Sequence, residues 1–240
     1  MALPALSGGR TSGAIAESVL RAVSVRTTPS EADRLPRVIV VVEGPSGAGK
    51  TTWCRTHAGA YALLEAPPDH ATVPTEPEAN ARFWVERNVD RWRQVLERER
   101  RDGLVVVDVD PFKLHYVWTL WRSGQVSERE WELQREASRA AFSAGEYALA
   151  DLYLVSDVIE ATLRARRDAD TTRRRRGFER HVLLRDSLLR WYRAIDELEP
   201  GRVRFGLPGD GLTPDLLAVG PRRVRSGAEL FEKLLARLGE

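Results

Sequence analysis

Cysteine is nearly absent from this chain of 240 residues: Cys54 stands alone, so no intrachain disulfide can form and a reducing, cytoplasmic compartment is expected. Lysine is almost as scarce, with 3 lysines against 34 arginines. That bias reads as coding composition and weakens any argument resting on an arginine merely being an arginine. Charge of one sign is also missing. The 37 basic and 35 acidic side chains leave a net charge of +2, too little to hold a nucleic acid or an anionic membrane, so neither partner is expected. No apolar run approaches the ~18 residues of a membrane span, and the first residues lack the basic-then-apolar pattern of a signal peptide. His57, His70, His115 and His181 show no spacing that would build a zinc site.

What is present is sharp. Gly44-Pro45-Ser46-Gly47-Ala48-Gly49-Lys50-Thr51 is a complete G-x-x-x-x-G-K-[ST] phosphate loop, and the run Val38 to Val42 leads directly into it. Glycines let the backbone wrap an anion with its N–H groups pointing inward. The lysine adds a mobile charge near the β- and γ-phosphates, and the threonine hydroxyl is a Mg²⁺ ligand. The motif predicts a nucleoside triphosphate, ATP, bound with Mg²⁺ by residues 44–51 together with Thr52. The bland rival is a Gly-rich turn between a core strand and a helix.

Strands and helices alternate after Arg37, which predicts an α/β phosphate-loop NTPase fold: a parallel sheet of about five strands flanked by helices. Strands are expected at 38–43, 61–65, 104–109, 152–155 and 202–205. Helices are expected at 50–58, 79–100 and 127–149, the last opened by a Ser127/Glu130 capping box, with others from 158, over 184–198 and after Ser226. Residues 1–36 read as a partly flexible arm and 37–240 as the folded domain. An arginine-rich lid is expected at about 168–178.

Asp108 and Asp110 close the apolar run Leu104 to Val109, at the sheet edge where ligands gather in open α/β folds. Asp108 is preferred as the metal-orienting carboxylate, the alternative being a turn cap for either acid. Glu65, after the second strand, is the candidate proton acceptor, with Glu76 as a weaker competitor. The cluster Arg173 to Arg176, with Arg164, Arg166 and Arg167 upstream, fits a lid closing over a triphosphate; a solvated charge run and a nucleic-acid contact are its rivals. Trp84, Trp92, Tyr116, Trp118 and Trp121 crowd the inferred acceptor side, and Trp92 falls on the core stripe Val85, Val89, Trp92, Leu96.

From Arg37 to Phe205 the order of parts resembles the phosphate-loop kinases of nucleosides and nucleotides, deoxynucleoside and thymidylate kinases especially. The likeness rests on Val38 to Thr52 and on Ala150 to Asp157 followed by Arg164 and the arginine cluster. The resemblance implies a kinase moving the γ-phosphoryl group of ATP to a small acceptor, nucleoside-like or antibiotic-like. It implies Glu65 as base and Asp108 as the acid opening an Asp/Glu-Arg motif, with Lys50, Arg173 and Arg174 acting on the transferred group and Arg164, Arg175 and Arg176 on the donor phosphates. Thr51 and Asp108 then serve the metal. Val109 stands where that motif carries arginine, which sets an ordinary nucleoside acceptor in question. Rival readings are an antibiotic phosphotransferase of the chloramphenicol-modifying type and a nucleotide-driven switch with no small acceptor; a homodimer stays open.

Overall fold

The computed structural model describes residues 37–66, 69–170, 178–219 and 227–239. The expected arm at 1–36, the arginines 173–176 and the cap at Ser226 lie outside the described residues.

Strands β1 (Val38–Glu43), β2 (Ala62–Leu63), β3 (Leu104–Asp108), β4 (Leu152–Val155) and β5 (Val203–Phe205) form one sheet in the order β2-β3-β1-β4-β5, with every pairing parallel. Parallel neighbours need crossovers. These are supplied by α1 (Lys50–His57), α2 (Pro77–Asp102), α3 (Leu114–Arg122) with α4 (Glu128–Ser143), and α5 (Glu160–Ala169) with α6 (Phe178–Leu183) and α7 (Arg185–Leu198). The short α8 (Pro214–Leu217) and α9 (Ala228–Leu238) follow β5.

Period-two alternation in β1 sends Ile39 and Val41 to one face and Val38, Val40 and Val42 to the other. The first face packs on Val89, Trp92, Trp118, Trp131, Trp191 and Phe231, from α2, α3, α4, α7 and α9. The second packs on Trp53 and Cys54 of α1 and on Leu216. Both faces are dry, which explains an unbroken run of β-branched aliphatic residues; each buried valine contributes about 1.5–3 kcal/mol.

Several boundaries move from the sequence expectation. The second strand shrinks to two residues: a 3₁₀ turn over Gly59–Tyr61 takes up its first position, and Leu64 and Glu65 fall in the loop beyond. The Ser127/Glu130 capping box forms, but its helix ends at Ser143, six residues early. Glu76, weighed as a competing base, is the N-cap of α2 and accepts a hydrogen bond from Ala79 N–H at 3.1 Å. No helix among the described residues is long and apolar enough to cross a membrane.

Candidate functional site

The sheet reverses direction of winding between β1 and β3: the connection leaving β1 runs to the edge at β2, whereas the one leaving β3 runs the other way, to β4. Such a switch point opens a crevice beyond the strands' carboxyl ends. Residues 44–49 occupy it. Gly44, at φ 145°, passes so close to β4's end that a Cβ there would lie 2.8 Å from Ser156 Cβ, so only glycine fits. Gly49, at φ 92°, is the N-cap of α1.

Lys50 turns back into the loop, donating from Nζ to the carbonyls of Gly44 at 2.5 Å and Pro45 at 3.2 Å. Thr51 Oγ1 donates to Asp108 Oδ2 at 2.7 Å, joining α1 to the end of β3. The other oxygen, Asp108 Oδ1, is buried with no hydrogen-bond partner among the described residues. Burial raises the Asp108 carboxyl above its ordinary range, with the charges of Glu65 and Glu43 adding, while the Thr51 hydroxyl and Lys50 offset part of this.

Glu43, the last residue of β1, was not singled out in the sequence. Its side chain is buried and bonds both ways: Oε1 accepts from Gly44 N–H and Oε2 from Asp110 N–H, each at 2.9 Å. Burial opposes its ionisation, but the Lys50 ammonium 3.9 Å away and these amide donors outweigh that and lower its pKa. His115 Nε2 lies 3.6 Å from the same carboxylate. Asp110 is buried as well, accepting from Phe112 N–H and Tyr192 Oη–H; burial and then Glu43's charge push its carboxyl up to about 7. Between the two aspartates, Val109 sits at φ 72°. A β-branched residue in the left-handed region stores about 1–3 kcal/mol of strain. That reversal leaves Asp108 facing Thr51 while Asp110 turns into the core.

Glu65, whose charge reaches Asp108, is ion-paired with Lys113, so the candidate base has a cationic partner that sequence reasoning missed. Both line a cleft of about 810 Å³ between β2, α2 and α3. Its walls include Phe83, Trp84, Tyr116, Val117 and Leu120, with Asn88 and the buried Gln134 as neutral polar groups. Of the five aromatics expected on this side, Trp84 and Tyr116 line the cleft. Trp92 and Trp118 are core, and Trp121 stacks on Trp131.

The upstream arginines separate. Arg164 is held by Glu160 and Glu179, whereas Arg166 donates to the Ala48 carbonyl at 2.9 Å and so touches the loop. Leu163, Phe178 and Val182 pack on Ala48, seating α5 and α6 against the loop. Arg91, from α2, donates to the Asp108 backbone carbonyl. No protein-family model matches the chain, and a search of curated proteins finds no match.

Proposed function

We propose that this protein is an ATP- and Mg²⁺-dependent phosphate-loop kinase that transfers the γ-phosphoryl group to a hydroxyl-bearing small molecule held in the Trp84–Tyr116 cleft. The carrying observation is the Thr51–Asp108 hydrogen bond beside Lys50, with Asp108 Oδ1 buried and unpartnered. An orphaned carboxylate oxygen next to a hydroxyl is a hard, oxygen-only donor pair, the kind that holds Mg²⁺ with substrate phosphates completing its shell. Thr51 and Asp108 would hold the ion, which supplies neutralisation of phosphate charge when bound.

The donor triphosphate lies along the loop, with the backbone N–H groups of residues 44–50 on the β-phosphate. Lys50 exchanges its carbonyl partners for β- and γ-oxygens. Glu65 accepts the proton of the acceptor hydroxyl as that oxygen bonds to phosphorus and the bond from phosphorus to the β-phosphate oxygen breaks, leaving ADP. Little covalent work falls to the protein; position and electrostatics carry the rate. The cleft's aromatic walls, with cations Arg87, Arg91 and Lys113 nearly balancing the acids Glu65, Glu86, Asp90 and Glu130, suit a flat or ring-bearing acceptor of low net charge, nucleoside-like or antibiotic-like. The arginine lid over the donor belongs to this reading too, with Arg166 as a described arginine that bonds to the loop. A reducing, cytoplasmic setting suits the lone buried thiol of Cys54.

ADP release with ATP and Mg²⁺ is the test, run against nucleosides, nucleoside monophosphates and hydroxyl-bearing antibiotics. Stimulation by at least one such acceptor is expected. Ready phosphorylation of dTMP or a common nucleoside would overturn the inference drawn from Val109. No stimulation by any acceptor would point instead to a nucleotide-driven switch.

A further inference from the structure

Of the three lysines in the chain, Lys233 pairs with Glu229 on the outside of α9, while Lys50 and Lys113 both stand at the carboxyl edge of the sheet. Stability gives no reason for a lysine at 113. It is the N-cap of α3 and makes no side-chain cap, whereas asparagine, aspartate or serine would stabilise that position. A cation at the positive end of a helix costs about 0.3–1 kcal/mol. Its ion pair with Glu65 is partly exposed, a class of contact worth about 0–1 kcal/mol.

Lys113 lies on the segment leaving β3, five residues after the Asp108 that meets Thr51, and both ammonium charges act on the same two imidazoles. The ring of His181, half-buried on α6 against Tyr116, is driven toward its neutral form by burial, then by Lys50, Arg180 and Lys113 together, against Glu43. His115 feels both lysines as well. Among the described residues the nearby arginines each donate elsewhere: Arg91 to the Asp108 carbonyl, Arg87 to the Ala66 carbonyl, Arg166 to the Ala48 carbonyl and Arg180 to the Gln125 side chain. Lys113 differs because its partner is the carboxylate that receives the acceptor's proton.

We propose that Lys113 is a catalytic residue whose ammonium, held ready by Glu65, contacts the phosphoryl group as it passes from donor to acceptor. This rests on the phosphoryl-transfer reading above. When the hydroxyl proton moves to Glu65, the carboxylate becomes neutral and loosens its hold on Lys113. The ammonium keeps its own protons and turns to the equatorial phosphoryl oxygens, where charge is spread in the transition state. Lys50 then serves the donor side of that group and Lys113 the acceptor side.

The test needs no acceptor. ADP with Mg²⁺, aluminium and fluoride mimics the planar phosphoryl group, and the gain in ADP affinity on adding fluoroaluminate reads the charge arranged around it. In the wild-type chain fluoroaluminate should tighten ADP binding. Lys113→Met should lose at least about tenfold of that gain while the affinity for ADP alone stays within about twofold, since one stabilising donor is worth about 10² or more. A structural role would weaken ADP binding too. Lys113→Cys gives a second reading: alkylating the introduced thiol with 2-bromoethylamine restores an ammonium at that position and should restore the gain. Cys54, buried and with its thiol pushed up to about 12, resists the reagent. An unchanged fluoroaluminate gain in Lys113→Met, or no recovery after alkylation, overturns the proposal and leaves the kinase reading intact. Failure of the wild-type chain to bind ADP, or to bind it more tightly with fluoroaluminate, overturns both.

Discussion

Behind the loop, Glu43, Asp110 and His115 keep at most 3% of their surface, whereas at the cleft the side chains of Glu65 and Lys113 keep 37% and 29%. The first group is fixed by backbone donors and neighbours on β1, β3, α3 and α7. The second is a pair that solvent reaches. A site that must present the same polyphosphate geometry at each turnover gains from rigid, desolvated anchoring; one that must exchange an acceptor needs groups that water and substrate displace cheaply. On the proposed kinase reading the donor half is thus preorganised and the acceptor half adjustable, and the variants below probe that division.

The largest effect is expected at the centre of the rigid half. Lys50→Ala removes the only ammonium inside the loop, and turnover of ATP should fall by about 10³ or more with the fold retained, as read by ADP release and thermal melting. Undiminished turnover in a folded Lys50→Ala chain would end the donor-site assignment. On the adjustable side, Glu65→Gln should lower kcat by about 10² to 10⁴ with ATP affinity little changed. Asp108→Asn should instead raise the Mg²⁺ concentration needed for half-maximal rate. Equal and small effects at both would return these carboxylates to structural duty.

Next in size is a contrast between two tryptophans. Trp84→Ala should raise the acceptor KM about tenfold and leave the KM for ATP unchanged, because its ring walls the cleft. Trp118→Ala, in the core, should cost about 3–5 kcal/mol of stability before any effect on acceptor is measurable. The same stability loss from both would place Trp84 in the core rather than at the acceptor.

These halves differed in how well the sequence announced them. The loop is contiguous, and its residue types answer local demands, a close approach at Gly44 and a helix start after Gly49, so eight letters suffice. The valine runs of β1 and β3 were equally plain because both sheet faces are dry. Glu43 was missed although it offered a signal: a carboxylate ending an otherwise apolar strand directly before Gly44. Lys113 was missed for another reason, and Arg166 was named only within the upstream arginine cluster, without its partner on the loop. Their partners lie 48 and 118 residues away, and in a chain so rich in arginine a single basic residue carries little information. The division between Asp108 and Asp110 hid in Val109, since no β-branched residue advertises a left-handed backbone. Among the aromatics of α3, helical rotation decides which one meets the cleft, giving Tyr116 to the cleft wall and Trp118 to the core.

The smallest effect tests whether the rigid half holds strained charge. Asp110 has a folded-state pKa of about 7 against an ordinary 3.8, because burial and the Glu43 carboxylate disfavour its ionisation more than the Phe112 N–H, the Tyr192 hydroxyl and Arg91 favour it. Between pH 4 and 7 the folded chain therefore binds more protons at this position than the unfolded chain, and its contribution to stability falls as pH rises, levelling off above 7. The limiting slope is about 1.4 kcal/mol per pH unit. Glu43 acts in the opposite sense: its lowered pKa contributes stability that is lost as pH falls, but this is common to the wild-type and variant chains. Asp110→Asn removes the titration while its side-chain amide still accepts from Phe112 N–H and meets the Tyr192 hydroxyl. The unfolding free energy of Asp110→Asn minus that of the wild-type chain should then climb from pH 4 to 7 and stay flat beyond. A difference that does not vary with pH would mean that Asp110 is ionised in the core without penalty, and the anchoring behind the loop would be softer than its burial implies.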